Sequence, residues 1–439
     1  MRARNRGFFA SMESDEPIVE VNVEGGVPGD VERDVSDAVS DSEEIGSDVE
    51  ALEDALDSVE EIEAISDAAE QSVEEGQGLD PVAAEIAEVA VESIYRRLGI
   101  PSHVKAMPSM ESFGSTNSRK TATRIAIEGF SAQIKAIWAK IVAFFKSVYE
   151  KIVSFFKGLF NANAGVNKLL KGLKEKIKDL KGTPEEATFE SKRVGSAFGE
   201  SEGGSFKDKA SKVLEAHIKA TEGSLKLNEQ VKKQITDLGG EVPRMLDSTA
   251  HSVDSVKTGM EDFIKAMKST VTTTMSGKAE KDAIIVGGLV YGALIEFSVD
   301  EKDKTVNMEF KSGKEGREEK VGVLSKGDME ALVDAAISLS DGTEKYKAVI
   351  PMLKYNNEEV AKLAAKIGES MGKIDKPAED DAKKTDTAAR EALNDIRKYV
   401  VALGRLTVKL SSGLPGKNVQ ACKEVASYVT DSMKQYKVA

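Results

Sequence analysis

Apolar residues at Ile134, Trp138, Ile141, Phe145, Val148, Ile152, Phe155 and Leu159 recur in alternating steps of four and three. An extended strand alternates in steps of two, so this spacing marks the seam of an α-helix, widened here by Val142, Tyr149 and Phe156. A seam of that length must be covered, and its spacing suits another helix lying along it. Lys135, Lys140, Lys146, Lys151 and Lys157 interrupt every longer apolar run. A second basic piece, VNKLLKGLKEKIKDLKG, follows a turn expected at Asn161–Gly165 and adds Lys171, Lys174 and Lys178. Residues 112–182 hold 14 Lys+Arg and 4 Asp+Glu.

The rest of the chain divides by charge. Residues 1–111 carry 29 Asp+Glu against 7 Lys+Arg, a net of −22, while the remainder carries 46 acids against 54 bases, a net of +8. From Asp15 to Glu88 only Arg33 is basic, aromatics are absent and bulky side chains are scarce. Such a stretch buries too little apolar surface to offset its ordering entropy, so it is expected to be disordered on its own. One part of it, VEALEDALDSVEEIEAI, has helical spacing suited to a transient or docked helix. Pro81–Ile100 reads as a short helix that starts at a proline and stops at Gly99. The following PSHVKAMPSMESFGSTNSRK is an exposed connector of the kind proteases reach.

These observations predict a mainly α protein with a small antiparallel sheet in its C-terminal part. The expected organisation is an acidic, largely disordered segment over 1–111, a basic amphipathic segment over 112–182, a polar linker over 183–205, and a helical domain over 206–439. In that domain a helix over Phe206–Leu238 is broken at Gly239-Gly240 and continues over Pro243–Met275. A hairpin is expected near 293–311 with a third strand at 320–325, placing the sheet near 284–325. Helices return over Lys326–Met371, then after a charged break at Lys376–Thr387 as a pair, Ala388–Leu410 and Asn418–Tyr436, separated by a turn at SGLPG.

Nothing in the sequence assembles a catalytic site. His103, His217 and His251 lack metal-ligand spacing, and His217 reads as a surface residue; no metal or cofactor is expected. There is no Gly-x-Ser-x-Gly elbow, Walker loop or dinucleotide fingerprint, and GGLVYG at Gly287–Gly292 reads as a tight turn into a strand. Cys422 reads as a buried helical thiol. The N-terminus lacks the apolar run of a secretory signal, and no stretch reaches the ~18 uncharged apolar residues of a membrane span. The basic helix itself admits three roles: a core helix with lysines in water, a membrane-surface helix, or a non-specific polyanion contact through its lysines.

The tetrapeptide Ser-Met-Glu-Ser occurs twice, at Ser11–Ser14 and Ser109–Ser112, the second at the charge border. Ala90-Val91-Glu92-Ser93 shares its pattern of a small residue, any residue, glutamate, then serine. An acidic N-terminal segment ended by Ser/Ala-x-Glu resembles the propeptides of internal head proteins in giant tailed bacteriophages. That resemblance implies a non-enzymatic virion protein made as a precursor in the host cytoplasm, and cut by a phage prohead protease after Glu13, Glu92 or Glu111. It further implies a mature basic part packed in the head with other core proteins and with DNA, bound without base readout. A membrane-active helix released by processing, and a cytosolic helical scaffold, are the alternatives.

Overall fold

The computed structural model describes residues 28–97, 107–199, 205–247, 253–300, 304–311, 313, 320–374 and 383–436. In chain order the helices are α1 (Gly29–Glu74), α2 (Pro81–Arg97), α3 (Thr116–Asp179), α4 (Lys192–Phe198), α5 (Phe206–Asp247), α6 (Asp254–Thr273), α7 (Lys326–Glu344), α8 (Val349–Ile374) and α9 (Lys383–Met433). The strands are β1 (Thr188–Glu190), β2 (Lys278–Ala279), β3 (Ala283–Val286), β4 (Leu294–Asp300), β5 (Thr305–Lys311) and β6 (Lys320–Gly322). Among the described residues no helix is long and apolar enough to cross a membrane.

The basic stripe forms the middle of α3, a single helix of 64 residues. Its N-terminus is closed by a reciprocal capping box between Ser115 and Ser118, and Lys176 and Lys178 sit in its last turn, where cations favour the helix dipole. The turn expected at Asn161–Gly165 does not form. Asn163 instead donates to the Ser340 carbonyl at 3.1 Å and accepts from Ser340 Oγ at 3.0 Å, so its side chain ties α3 to α7. Gly165 lies against Val31 of α1, where a small residue suits close helix packing.

α5 likewise continues through Gly239-Gly240, because Leu238 and Val242 on either side are buried in the core and hold the helix together. α9 passes through SGLPG without a turn, carrying Pro415 inside it. A Cβ on Gly413 would meet Phe310 Cε2 at 2.1 Å, so this glycine is the seat for the β5 aromatic. Ser42 Oγ of α1 donates to the Ser412 carbonyl at 3.0 Å, close to the proline. In both helices tertiary packing overrides the local breaker.

The sheet is antiparallel in the order β2-β3-β4-β5, with the β4–β5 hairpin running from Leu294↔Lys311 to Asp300↔Thr305, as the alternation predicts. β6 forms where a third strand is expected but pairs with β1. Residues 183–205 therefore hold more than a linker. They contribute β1 and α4, whose Val194, Ala197 and Phe198 are buried, with Phe198 edge-on to Phe206.

Within the acidic segment the docked helix expected over VEALEDALDSVEEIEAI is much longer: Gly29–Glu74 is a 46-residue helix packed into the protein; residues 1–27 lie outside the described residues. Two clusters make up the core. One gathers the C-terminal half of α1, α2, the N-terminal half of α3, α5, α6, the sheet and α8. The other gathers the N-terminal half of α1, the C-terminal half of α3, α4, α7 and the end of α9. α1, α3, α5, α8 and α9 run through both, the second cluster taking the first turns of α5 and α8.

His217 is not on the surface but fully buried on α5. Its Nδ1 lies 2.8 Å from Asn418 Oδ1, and Nε2 accepts from the Val290 N–H at 3.0 Å. This fixes a neutral ring with its proton on Nδ1, and explains the GGLVYG turn, since Val290 belongs to it. Cys422 is buried on α9 as expected, with burial pushing its thiol pKa up. Burial also pushes the His217 pKa down to about 4, from an ordinary 6.5. The unfolded chain therefore takes up the proton first, so the stability that His217 contributes is complete above pH 6.5 and is lost as pH falls toward 4. We expect His217→Gln to narrow its stability gap to wild type by up to ~3 kcal/mol between neutral and acidic pH. Urea unfolding at a series of pH values measures this; a pH-independent gap would contradict it.

Candidate functional site

α1 carries 18 Asp+Glu against a single base, Arg33. Acids spaced three and four apart, such as Glu50 with Asp54 and Asp57 with Glu61, repel one another on a free helix. What compensates is a narrow seam. Val35, Ala38, Ile45, Val49, Leu52, Val59, Ile62 and Ala69 are each at most 3% exposed. They lie in a groove whose walls are α3 and α9, so the acids are displaced to the two rims.

Along the α9 rim the acids meet cations in register. Asn394 donates to Glu63 at 2.8 Å, Lys398 pairs with Glu60 at 2.9 Å, and Glu53 takes both Lys409 at 2.8 Å and Arg405 at 3.4 Å. Further on, Lys423 and Arg193 of α4 reach Glu32 at 3.6 and 3.1 Å. α1 numbers fall as α9 numbers rise, so the helices are antiparallel and the pairs form a ladder. Its cations are largely sheltered: Lys409, Arg405 and Lys423 side chains are 12, 15 and 11% exposed. Burial pushes the Arg405 and Lys417 pKa values down, opposed by Glu53 in the first case and Glu43 in the second. These carboxylates partly offset the cost of sheltering the two cations.

The α3 rim is thinner. Lys151 holds Asp48 at 2.6 Å and Glu44 at 3.0 Å, and the bond to Asp48, then that to Glu44, raises its pKa. The other lysines singled out on α3 lie elsewhere. Lys135, Lys140, Lys146, Lys157 and Lys171 are exposed, Lys174 pairs with Asp334 of α7 at 2.5 Å, and Lys178 pairs with Glu175 at 2.7 Å. All eight stripe residues, Ile134, Trp138, Ile141, Phe145, Val148, Ile152, Phe155 and Leu159, are buried within the chain. A Cβ on Gly404 would meet Phe145 Cε1 at 2.5 Å, so α9 comes close to α3 here. Arg397 of α9 lies over the Trp138 ring, 3.3 Å from its centroid, with burial pushing its pKa down to about 9.

The three glutamates of the Ser/Ala-x-Glu pattern differ in setting. Glu13 lies outside the described residues. Glu92 is exposed on the regular helix α2. Glu111 is exposed in one turn of tight helix, Met110–Phe113, held by the Ser112 N–H to Ser109 carbonyl bond at 2.9 Å and anchored by the buried Phe113. A protease must straighten the chain it cuts, and opening a single turn disrupts far less than unravelling α2.

Of the groove's cations the amphipathic pattern of α3 shows Lys151 alone, and the α9 cations escape it. Lys398, Arg405, Lys409 and Lys423 are separated by seven, four and fourteen residues, a helical spacing that places them along one side of α9.

A family model for phiKZ-like phage internal head proteins matches residues 30–430. No curated protein and no solved structure matches the chain.

The two rims differ in their expected energetics. Glu53→Gln removes the carboxylate paired with both Arg405 and Lys409, leaving Arg405 only the neighbouring Asp57, and should destabilise by about 2 kcal/mol. Glu44→Gln touches only the exposed Lys151 pair and should cost under ~0.5 kcal/mol. Equal effects in chemical denaturation would contradict the ladder. Ile141→Asp together with Phe145→Asp, by contrast, should leave no cooperative unfolding transition, because both side chains lie in the core.

Proposed function

The chain belongs to the phiKZ-like phage internal head proteins, and from that premise we propose that α1 is a removable acidic clasp over a cationic groove. As a member of that family it is a structural protein, made in the host during infection, located inside the virion head and in contact with other components of the virion core. The observation that carries the proposal is the ladder between α1 and α9. It neutralises Lys398, Arg405, Lys409 and Lys423 in the full chain, while the accessible Ser109-Met110-Glu111 turn lies on the path from the acidic helices into α3.

In this reading the chain is a precursor. With the clasp in place its net charge is −14. A prohead protease cuts after Glu111; Glu92 and Glu13 are further substrate positions of the same pattern. The cut separates −22 from +8 in covalent terms, but the seam of α1 still holds it in the groove. Departure of α1 then uncovers Lys151 and the α9 cations beside the already exposed Lys135, Lys140, Lys146, Lys157 and Lys171. The mature part packs with the genome as a polycation, touching phosphate and not base edges. No catalytic step is assigned to any residue. A membrane role for the stripe finds no support, because α3 would first have to leave its own core.

We expect the protein in mature particles to begin at Ser112, and Glu111→Gln to block that cut while leaving the fold intact. N-terminal sequencing of particle protein checks this; stoichiometric recovery of peptides from residues 20–80 would contradict it. Product lacking the acidic helices should bind duplex DNA without sequence preference, more tightly than the precursor at the same salt, and lose binding steeply as salt rises. Equal affinities for precursor and product would remove the shielding role.

A further inference from the structure

α2 is apolar on two opposite faces, and only one of them is covered. Ala84, Ala87, Val91 and Ile94 are buried, whereas Val82, Ile86 and Val89 are 65, 65 and 62% exposed. These three stand at i, i+4 and i+7, which makes a single stripe. Among the described residues the other exposed large apolar side chains are Ile125 and Tyr355. The chain thus concentrates its uncovered apolar surface on one short helix. Such a stripe in water is a docking surface. Glu85, Glu88 and Glu92 recur in steps of three and four and line one flank of it.

The flank decides the occupant. A second α2 packed antiparallel across the stripe would bring these acids against their own copies, so that self-pairing is opposed by like charge, and a parallel pair would leave the acids without cations. The stripe calls for a segment that joins apolar side chains to cations. Residues 1–12, MRARNRGFFASM, have that composition: Arg2, Arg4 and Arg6, then Phe8, Phe9 and Met12, with no acid before Glu13.

Reach decides which copy supplies it. α1 separates this arm from α2, and its 46 residues are about 69 Å long. The chain from Phe9 to Pro28, even fully extended, spans at most ~68 Å. Docking within one molecule would require the chain before α1 to run back along that helix toward its far end, whereas an arm from a neighbour needs no such return. We propose that the exposed stripe of α2 binds residues 2–12 of a second copy of this chain, with arginines on the Glu85/Glu88/Glu92 flank and Phe8 and Phe9 against Val82, Ile86 and Val89.

Donor and acceptor surfaces differ in such a contact, so it is head-to-tail and open-ended, and one copy links to the next. It also gives the Ser-Met-Glu at Ser11–Glu13 a consequence of its own. A cut after Glu13 severs the arm from its chain and ends the link, whatever happens at Glu111.

The test uses the full-length chain with a photo-crosslinking benzoylphenylalanine in place of Ile86, an exposed position, in a mixture of isotopically light and heavy copies. Mass spectrometry should find crosslinks from position 86 to residues 2–12 that join light to heavy chains. Arg2→Glu, Arg4→Glu and Arg6→Glu together should weaken self-association at least tenfold in sedimentation without changing thermal stability. Adding Glu85→Lys, Glu88→Lys and Glu92→Lys should restore it. Crosslinks confined to single chains, crosslinks from one α2 to another, or no crosslink at all would overturn the proposal, as would a charge reversal that fails to rescue association.

Discussion

Seating a helix as acidic as α1 against the rest of the protein is the constraint on which the architecture depends. A helix with 18 acids is stable only where its few apolar residues are covered and its carboxylates find cations. α3 and α9 supply both, as parallel walls along which α1 runs antiparallel. Their length follows from this. Each spans both core clusters, and each continues through residues that would break a helix in isolation, Asn161–Gly165 in α3 and Pro415 in α9.

The two rims of the groove give the clasp distinct electrostatic responses. Lys151 on α3 is 44% exposed, so its pairs with Glu44 and Asp48 are screened by salt and contribute little to stability. The α9 cations are sheltered and face carboxylates of α1, so losing α1 would leave them in a newly wetted groove without those partners. A polyanion offering phosphates in place of carboxylates meets that need without base recognition. In the function we propose, packaged DNA competes with the acidic helix for these cations.

Periodicity alone located most of the elements. The four-three stripe of α3, the short α2 beginning at Pro81, and the β4–β5 hairpin are all where local pattern places them. What remained illegible depended on distant partners. The Gly239-Gly240 pair and SGLPG look like breakers until Val242 is buried and Phe310 sits over Gly413. His217 looks like a surface residue among acids and lysines, because nothing near it in sequence reveals Asn418 or the Val290 amide. α1 looked disordered because its seam of Val, Ala, Ile and Leu is too sparse to hold a helix without a groove to receive it. For the candidate site, Lys151 alone was visible in the amphipathic pattern of α3, while the α9 ladder depends on acids about 330 to 390 residues away in sequence.

The central claim is that α1 is held by a seam and a charge ladder, and not by the chain connection alone. The most direct measurement nicks the intact protein between Glu111 and Ser112 and follows both pieces by size-exclusion chromatography. The account predicts that they co-elute at low salt and that duplex DNA displaces the acidic piece while binding the basic one. Immediate separation at low salt, or an acidic piece that stays in place when DNA binds, would contradict it.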